Sequence, residues 1–259
     1  MREAAAHSVA YLRSDAARAS IAKDPYWPKW HSPWWHVMAV REAGFEVPRE
    51  ALVALCEAAE RHYLRSFPRA PEVLPPGKSP KTDVVCFCAL ATLLEAAEGV
   101  ATVSWADDFI VRYQLPDGGW NCDEHSHVSS IVSTVPVLEY LHGRPALRQV
   151  AERGLEYLLW KQLFRSQRSG AVLDPAWLVP SVPRFYEYDL LRGLLLLKRY
   201  GVPPPTEALE ALNRTELRCW PLSAAAREGN GVESSFPLLE ALALPQNARP
   251  LLDRQLAAL

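Results

Sequence analysis

The densest group of metal-binding side chains in the sequence lies at residues 122–127, which read Cys-Asp-Glu-His-Ser-His. Zinc in proteins takes four ligands among thiolate, imidazole and carboxylate groups. Cys122, Asp123 and His125, together with Cys86 from the preceding apolar segment, would supply such a set and predict a zinc site. The alternative is a polar helix start, with Asp123 as the cap and the cysteines as small core residues. The spacing matches no standard zinc signature.

A second cluster alternates charged and aromatic residues just before a run of leucines at residues 194–197. A buried helix avoids charges unless they are paired. The cluster therefore either forms structural ion pairs or makes the polar floor of a pocket. In a pocket, a carboxyl group kept protonated by desolvation is a general acid, and the tyrosine rings stabilise a carbocation. The candidate catalytic residues are Arg184, Tyr186, Glu187, Tyr188 and Asp189, and Arg192 is a candidate for substrate binding.

Aromatic residues crowd the segment from residue 27 to residue 36, which contains Trp27, Trp30, Trp34 and Trp35. Such rings build surfaces for cations or prenyl chains, so Trp34, Trp35 and the neighbouring His36 are candidates for substrate binding. The alternative is an apolar latch that closes the fold, with the histidine as a bonded core residue. Ser130 is a further substrate-binding candidate, because small polar residues cap helices and leave room for a ligand.

The elements that must position these residues recur about every 50 residues, the spacing of a helical-hairpin repeat. Each copy opens with polar or aromatic residues and continues into a helix that is apolar nearly all round, which requires burial on most sides. The five copies begin near Ser32, Thr82, His127, Arg184 and Val232.

Amphipathic helices are expected between the buried ones, because charged and apolar residues alternate there with a helical period. They are expected over Arg49 to Leu64, Ser104 to Gln114, Arg148 to Gln162 and Thr206 to Leu217. Two concentric layers satisfy this alternation, with about five inner helices inside an outer ring. The sequence thus predicts one all-α domain over residues 1–259, an α/α toroid. An open solenoid of helical hairpins is the alternative.

One turn carries a resemblance to a known family. After the expected helix at residues 104–114, the chain reads Gln-Leu-Pro-Asp-Gly-Gly-Trp from Gln114 to Trp120. Gly118 and Gly119 permit the positive φ of a helix-terminating turn, Trp120 offers a large apolar face, and Gln114 can bond free backbone groups at helix ends. The segment resembles the Gln-Trp repeat of squalene–hopene cyclases, which share the α/α toroid with protein prenyltransferases.

The resemblance implies a prenyltransferase- or terpene-cyclase-like protein with an apolar central cavity for a prenyl or terpenoid substrate. It also implies active residues at the N-terminal ends of the inner helices. The sequence lacks the Asp-x-Asp-Asp acid motif of the cyclases. It also has Glu187 where the resemblance places a zinc-binding histidine. A binding protein that holds an apolar ligand without transforming it, and a scaffold module, are the alternatives.

Composition and net charge limit the classes of molecule that this protein is expected to bind. The net charge of −2 gives no field that would attract nucleic acid or an anionic membrane. We read neither a signal peptide nor a membrane span, and five cysteines without paired spacing favour a reducing cytoplasm over a secreted disulfide framework. The expected partner is a small apolar or prenyl-type molecule, with zinc as the only cofactor hypothesis. The oligomeric state is not indicated.

Overall fold

The protein is built mainly from helices. A computed structural model describes residues 1–66, 87–123, 126–219 and 236–259. The described residues form twelve α-helices, and their only paired strands are two residues long. The prediction of an all-α protein is confirmed. None of the described helices is long and apolar enough to cross a membrane.

The elements follow in chain order. The α-helices are α1 Arg2–Leu12, α2 Asp15–Lys23, α3 Pro33–Glu42, α4 Arg49–Ser66, α5 Phe87–Ala96, α6 Ala106–Arg112, α7 Ile131–Leu141, α8 Arg148–Trp160, α9 Leu190–Arg199, α10 Thr206–Ala211, α11 Pro237–Leu242 and α12 Pro245–Ala257. Short 3₁₀ helices lie at Pro145–Leu147 and Pro175–Leu178. Strand β1 (Ser181–Val182) pairs in parallel with β2 (Arg218–Cys219).

Five helices correspond to the predicted apolar copies: α3, α5, α7, α9 and α11. Most of their residues are buried; in α3 this holds for every residue from Pro33 to Val40. The predicted starts at Thr82 and Val232 lie outside the described residues. The copy predicted to begin near His127 opens with a loop, and its helix, α7, begins at Ile131.

Four helices correspond to the predicted amphipathic ones: α4, α6, α8 and α10. Helix α8 buries Leu155 and Leu158 and exposes Glu152 and Glu156, which is the predicted two-faced pattern. The fourth helix is shorter than predicted, since α10 ends at Ala211 instead of continuing to residue 217.

The buried helices contact one another in chain order. Helix α3 contacts α5, α5 contacts α7, and α7 contacts α9. The last buried helix, α11, contacts α1 and α3 near the beginning of the chain. Helix α12 contacts α11 and β1. Elements from the two ends of the sequence are thus neighbours in space.

The turn that carries the Gln-Trp resemblance is fixed by side-chain hydrogen bonds. Gln114 Nε2 donates to the carbonyl oxygens of Gly118 and Val150 at 2.7 and 2.8 Å. The fully buried Trp120 donates from Nε1 to the carbonyl oxygen of Ile110 at 2.8 Å. The glutamine therefore bonds backbone groups as predicted, and both side chains connect the turn to the flanking helices α6 and α8.

The two glycines of this turn have different roles. Gly118 has φ +99°, which favours glycine. Gly119 does not have a positive φ, although glycine would permit one there. A Cβ at Gly119 would lie 2.5 Å from Thr134 Oγ1 and 2.7 Å from Ser129 Cβ, so this glycine is required for close packing against the start of α7.

Candidate functional site

A cavity of about 430 Å³ lies among the buried helices. Its walls come from α3, α5, α7, α9 and α12, and from the segment just after β1. Four arginines and three glutamates contribute to the lining, together with the apolar side chains of Met38, Phe185, Leu195 and Leu196. The lining residues are Met38, Arg41, Glu42, Thr92, Glu95, Glu139, Arg184, Phe185, Arg192, Leu195, Leu196, Arg199 and Gln255.

The chemical character of this cavity differs from the expected apolar one. The resemblance to the cyclases implies active residues at the N-terminal ends of the buried helices. In the structure, the charged wall residues of α3, α5 and α7 (Arg41, Glu42, Glu95 and Glu139) lie in the last turn of each helix. The cavity therefore combines ion pairs with a smaller apolar surface.

Arg192 and Glu139 form a two-point ion pair across the wall. Arg192 Nε lies 2.9 Å from Glu139 Oε1, and Nη2 lies 2.6 Å from Oε2. Arg192 Nη1 also donates to the carbonyl oxygens of Phe185 and Glu187. Burial by itself would lower the pKa of Arg192, but the carboxylate of Glu139 raises it above its usual value. The pair joins α7 to α9 and keeps both charges fixed at the cavity.

Two further arginines share one carboxylate. Glu95, at the end of α5, pairs with Arg41 of α3 and with Arg199 of α9. Glu95 is 11% exposed, whereas Arg41 and Arg199 are 42% and 36% exposed. Two guanidinium groups thus meet one carboxylate on the solvent-facing side of the cavity, whose lining also includes the carboxylate of Glu42.

Arg184 and Asp189 form a buried pair behind the wall. Asp189 is fully buried, and its Oδ2 accepts from Arg184 Nε at 2.5 Å and from the amide and hydroxyl of Ser181. Its Oδ1 accepts from the amide of Arg192 at 2.8 Å, which caps the N-terminus of α9. Asp189 does not line the cavity. The geometry favours the structural alternative for this residue.

The aromatic members of the predicted catalytic cluster also make structural contacts. Tyr188 is buried, and its hydroxyl donates to the carbonyl oxygen of Leu163 at 2.9 Å; burial raises the pKa of this hydroxyl well above its ordinary value. The hydroxyl of Tyr186 accepts from Lys29 Nζ at 3.1 Å. Tyr186, Tyr188 and Glu187 are not among the residues that line the cavity. The predicted cluster is thus divided, with only Arg184 and Arg192 at the wall.

The Trp-rich segment does not line the cavity itself, although Trp35 packs against the wall residue Phe185 with ring centroids 5.4 Å apart. Trp34 and Trp35 are buried, and their rings contact each other with centroids 4.5 Å apart. The ring of His36 stacks on Phe236 at 3.8 Å, and burial lowers its pKa to about 3. None of the three tryptophan and histidine candidates lines the cavity. Their ring contacts agree with the latch alternative, in which aromatic rings join α3 to its neighbours, but the buried His36 Nδ1 has no hydrogen-bond partner among the described residues, so a bonded histidine is not seen at that atom.

Ser130 occupies the N-cap position of α7, but its side chain makes no capping hydrogen bond. Its amide donates to the carbonyl oxygen of Trp120 at 2.8 Å. Ser130 is not among the cavity residues. Its role in the described structure is to fix the loop before α7 against the Gln-Trp turn.

The predicted zinc ligands are described only in part. Cys86 and His125 lie outside the described residues. Among those that the structure describes, no three histidine, cysteine or carboxylate side chains form a group that could hold a metal ion. Asp123 does not cap α7, which begins eight residues later. Cys122 lies beside Cys88, with their sulfur atoms 3.4 Å apart.

The sequence interpretation missed most of the cavity wall. Five wall residues lie in the last turns of mainly buried helices and were not identified from the sequence: Arg41, Glu42, Glu95, Glu139 and Arg199. Charged residues in buried helices are rare unless they are paired or functional. Isolated charges in apolar helices were therefore the signal that could have identified the wall.

Comparisons with known protein families, with curated proteins and with solved structures found no match.

Proposed function

We propose that the protein is an α/α-toroid protein that holds a small amphipathic anion in the cavity between its buried helices. The cavity of about 430 Å³ carries this proposal, because small-molecule sites occupy roughly 300–1,000 Å³ and combine apolar walls with a few placed polar groups. The contact of α11 with α1 and α3 supports a closed ring over an open solenoid.

An anionic ligand is favoured by the charges at the solvent-facing side. Arg41 and Arg199 share the single carboxylate of Glu95, so guanidinium N–H groups remain for another acceptor. Arginine presents a planar set of donors that matches carboxylate and phosphate oxygens. One buried donor at the wall, Arg184 Nη2, has no hydrogen-bond partner among the described residues, and the acceptor Gln255 Oε1 also lacks one; an anion would pair with the first, and a ligand hydroxyl or a water with the second. A polar molecule in the cavity, with modest side-chain movement, would satisfy them.

Prenyl diphosphates have this combination of an anionic head and an apolar chain, and they are the substrates that the Gln-Trp resemblance implies. The apolar wall residues Met38, Phe185, Leu195 and Leu196 offer a surface for a short chain. Catalysis by a prenyltransferase- or cyclase-like reaction remains a hypothesis from the resemblance. The purely apolar ligand is less favoured, because burying the wall charges against hydrocarbon would remove them from solvent without compensation.

The test measures the binding of geranyl diphosphate, inorganic pyrophosphate and geraniol. Binding is measured by calorimetry and by the shift in thermal unfolding temperature. We expect geranyl diphosphate to bind most tightly, pyrophosphate more weakly, and geraniol not measurably. Arg199→Gln should weaken binding of both anions by roughly tenfold or more, since a hydrogen bond to a charged group contributes about 1.5–3 kcal/mol.

Arg249→Gln is the matched control, because Arg249 pairs with Asp253 on the surface of α12 and does not line the cavity. It should bind like the wild type. Binding of geraniol as tight as that of the anions, or anion binding that Arg199→Gln leaves unchanged, would contradict the proposal. Release of pyrophosphate from geranyl diphosphate, measured in the same samples, would add an enzymatic step.

Zinc binding stays a separate prediction, since two of its four proposed ligands lie outside the described residues. Metal analysis of protein purified without an affinity metal column tests it directly. Stoichiometric zinc that is lost in Cys122→Ala would support a metal-dependent transferase-like activity.

A further inference from the structure

Two cysteine side chains from distant parts of the sequence meet at the start of α5. Cys88 lies in the first turn of this helix, and Cys122 lies in the loop that precedes α7, 34 positions later. Their sulfur atoms are 3.4 Å apart, and both thiols are unbridged. A disulfide needs the two sulfur atoms at about 2.05 Å, so forming one requires them to approach by roughly 1.4 Å from their present separation.

The two sulfur atoms share polar contacts but differ in their access to solvent. Ser133 Oγ lies 3.1 Å from Cys122 Sγ, and the backbone amide of Cys88 donates to the same sulfur at 3.5 Å. Cys122 is partly exposed, whereas Cys88 is buried beneath it.

We propose that Cys88 and Cys122 are a reversible thiol–disulfide site, with Cys122 as the residue that meets the oxidant and Cys88 as the residue that resolves it. With a hydroperoxide, the Cys122 sulfur attacks the peroxide oxygen and becomes a sulfenic acid, and one water (or alcohol) leaves. The Cys88 sulfur then attacks the sulfenic sulfur, the disulfide forms, and a second water leaves. Two thiols are oxidised and one peroxide is reduced. A small thiol or dithiol reverses the bond.

The bridge has a structural consequence. It would tie the first turn of α5 to the loop before α7, two elements that are already packed through the α5–α7 contact. Closing a loop of this length restricts the unfolded chain and stabilises the folded one. The oxidised protein should therefore unfold at a temperature several degrees higher than the reduced protein.

The test is peptide mapping of chelator-treated, reduced protein before and after stoichiometric hydrogen peroxide. Trypsin cleaves after Lys81 and Arg112, so Cys86 and Cys88 share one peptide and Cys122 falls in the next. The map is therefore made in the Cys86→Ala variant as well as in the wild type. We expect a cross-linked peptide pair in both, lighter by about 2 Da than the sum of the two reduced peptides, and its loss on treatment with dithiothreitol.

Variants separate this pair from the remaining thiols. Cys88→Ser and Cys122→Ser should each abolish the cross-link and the rise in unfolding temperature, and circular dichroism checks that both fold. Cys219→Ala is the matched control, because Cys219 lies in β2, and it should oxidise like the wild type. A cross-link that disappears in Cys86→Ala, or sulfinic acid on Cys122 without any cross-link, would overturn the proposal.

Discussion

Asp189 is the residue that holds Arg184 and the first turn of α9 in place. It is fully buried and accepts hydrogen bonds from the Ser181 amide and hydroxyl, the Arg184 guanidinium and the Arg192 amide. Asp189→Asn removes the charge that balances the buried Arg184. We expect a loss of about 3–5 kcal/mol in the free energy of unfolding, the usual cost of breaking a buried pair. Urea unfolding followed by circular dichroism measures it.

The control for this prediction is another helix cap without a buried charge. Ser14 caps α2 by accepting from the amide of Ala17, and Ser14→Ala should cost about 1 kcal/mol. If Asp189→Asn unfolds like the wild type but no longer binds geranyl diphosphate, Asp189 has a functional role and the structural interpretation is wrong.

The residue scale also shows how far the site could be predicted from the sequence. The local cluster at residues 184–192 was visible, because charges next to a leucine run are unusual. The partner of Arg192 was not visible, since Glu139 lies 53 positions away and only the packing of α7 against α9 joins them. The same holds for Glu95, whose two arginines come from α3 and α9.

At the scale of elements, the α7–α8 contact depends on a residue without a side chain. A Cβ at Gly154 in α8 would lie 2.9 Å from Leu138 Cδ2 and 3.0 Å from Trp120 Cζ3. Both neighbours are fully buried. Gly154→Ala should gain up to about 1 kcal/mol in helix propensity but lose about 1–3 kcal/mol by overpacking. We expect net destabilisation in urea unfolding and a changed tryptophan fluorescence.

Glu156→Ala provides the comparison within the same helix, because Glu156 is exposed. A surface substitution of this kind should change the free energy of unfolding by less than about 0.5 kcal/mol. A Gly154→Ala protein more stable than Glu156→Ala would mean that Trp120 and Leu138 move apart without cost, and that the close approach is unimportant.

The type of most elements followed from periodicity, but the start of α7 did not. The alternative with Asp123 as the cap placed this start too early, since Ser130 is the N-cap and α7 begins at Ile131. Long-range bonds hold it there: the Ser129 amide and hydroxyl donate to Asp117, and the Ser130 amide donates to the carbonyl of Trp120. Tertiary contacts of this kind override local propensity and cannot be read from the segment alone.

At the scale of the whole molecule, a ring and a solenoid have the same local pattern of helices. Repeats in a solenoid contact only their neighbours along the chain. The contacts of α11 with α1 and α3 join elements about 200 positions apart, and nothing in the periodicity predicts such a contact. Whether the first and last helices contact each other therefore decides whether the predicted helices form a ring or a solenoid.

A truncation distinguishes the two architectures. A chain that ends after residue 235 lacks α11 and α12, and with them the buried side chains of Leu238, Leu239 and Leu242. In a closed ring, this exposes the faces of α1 and α3 that α11 covers, so amide hydrogen exchange should accelerate in both of these distant helices. In an open solenoid, the loss of protection should stay within α9 and α10, the last remaining helices.

A chain that ends after residue 257 is the control and should exchange like the full chain. Unchanged protection of α1 and α3 in the shorter chain would rule out ring closure through α11. It would mean that contacts with α11 do not protect these two helices from exchange.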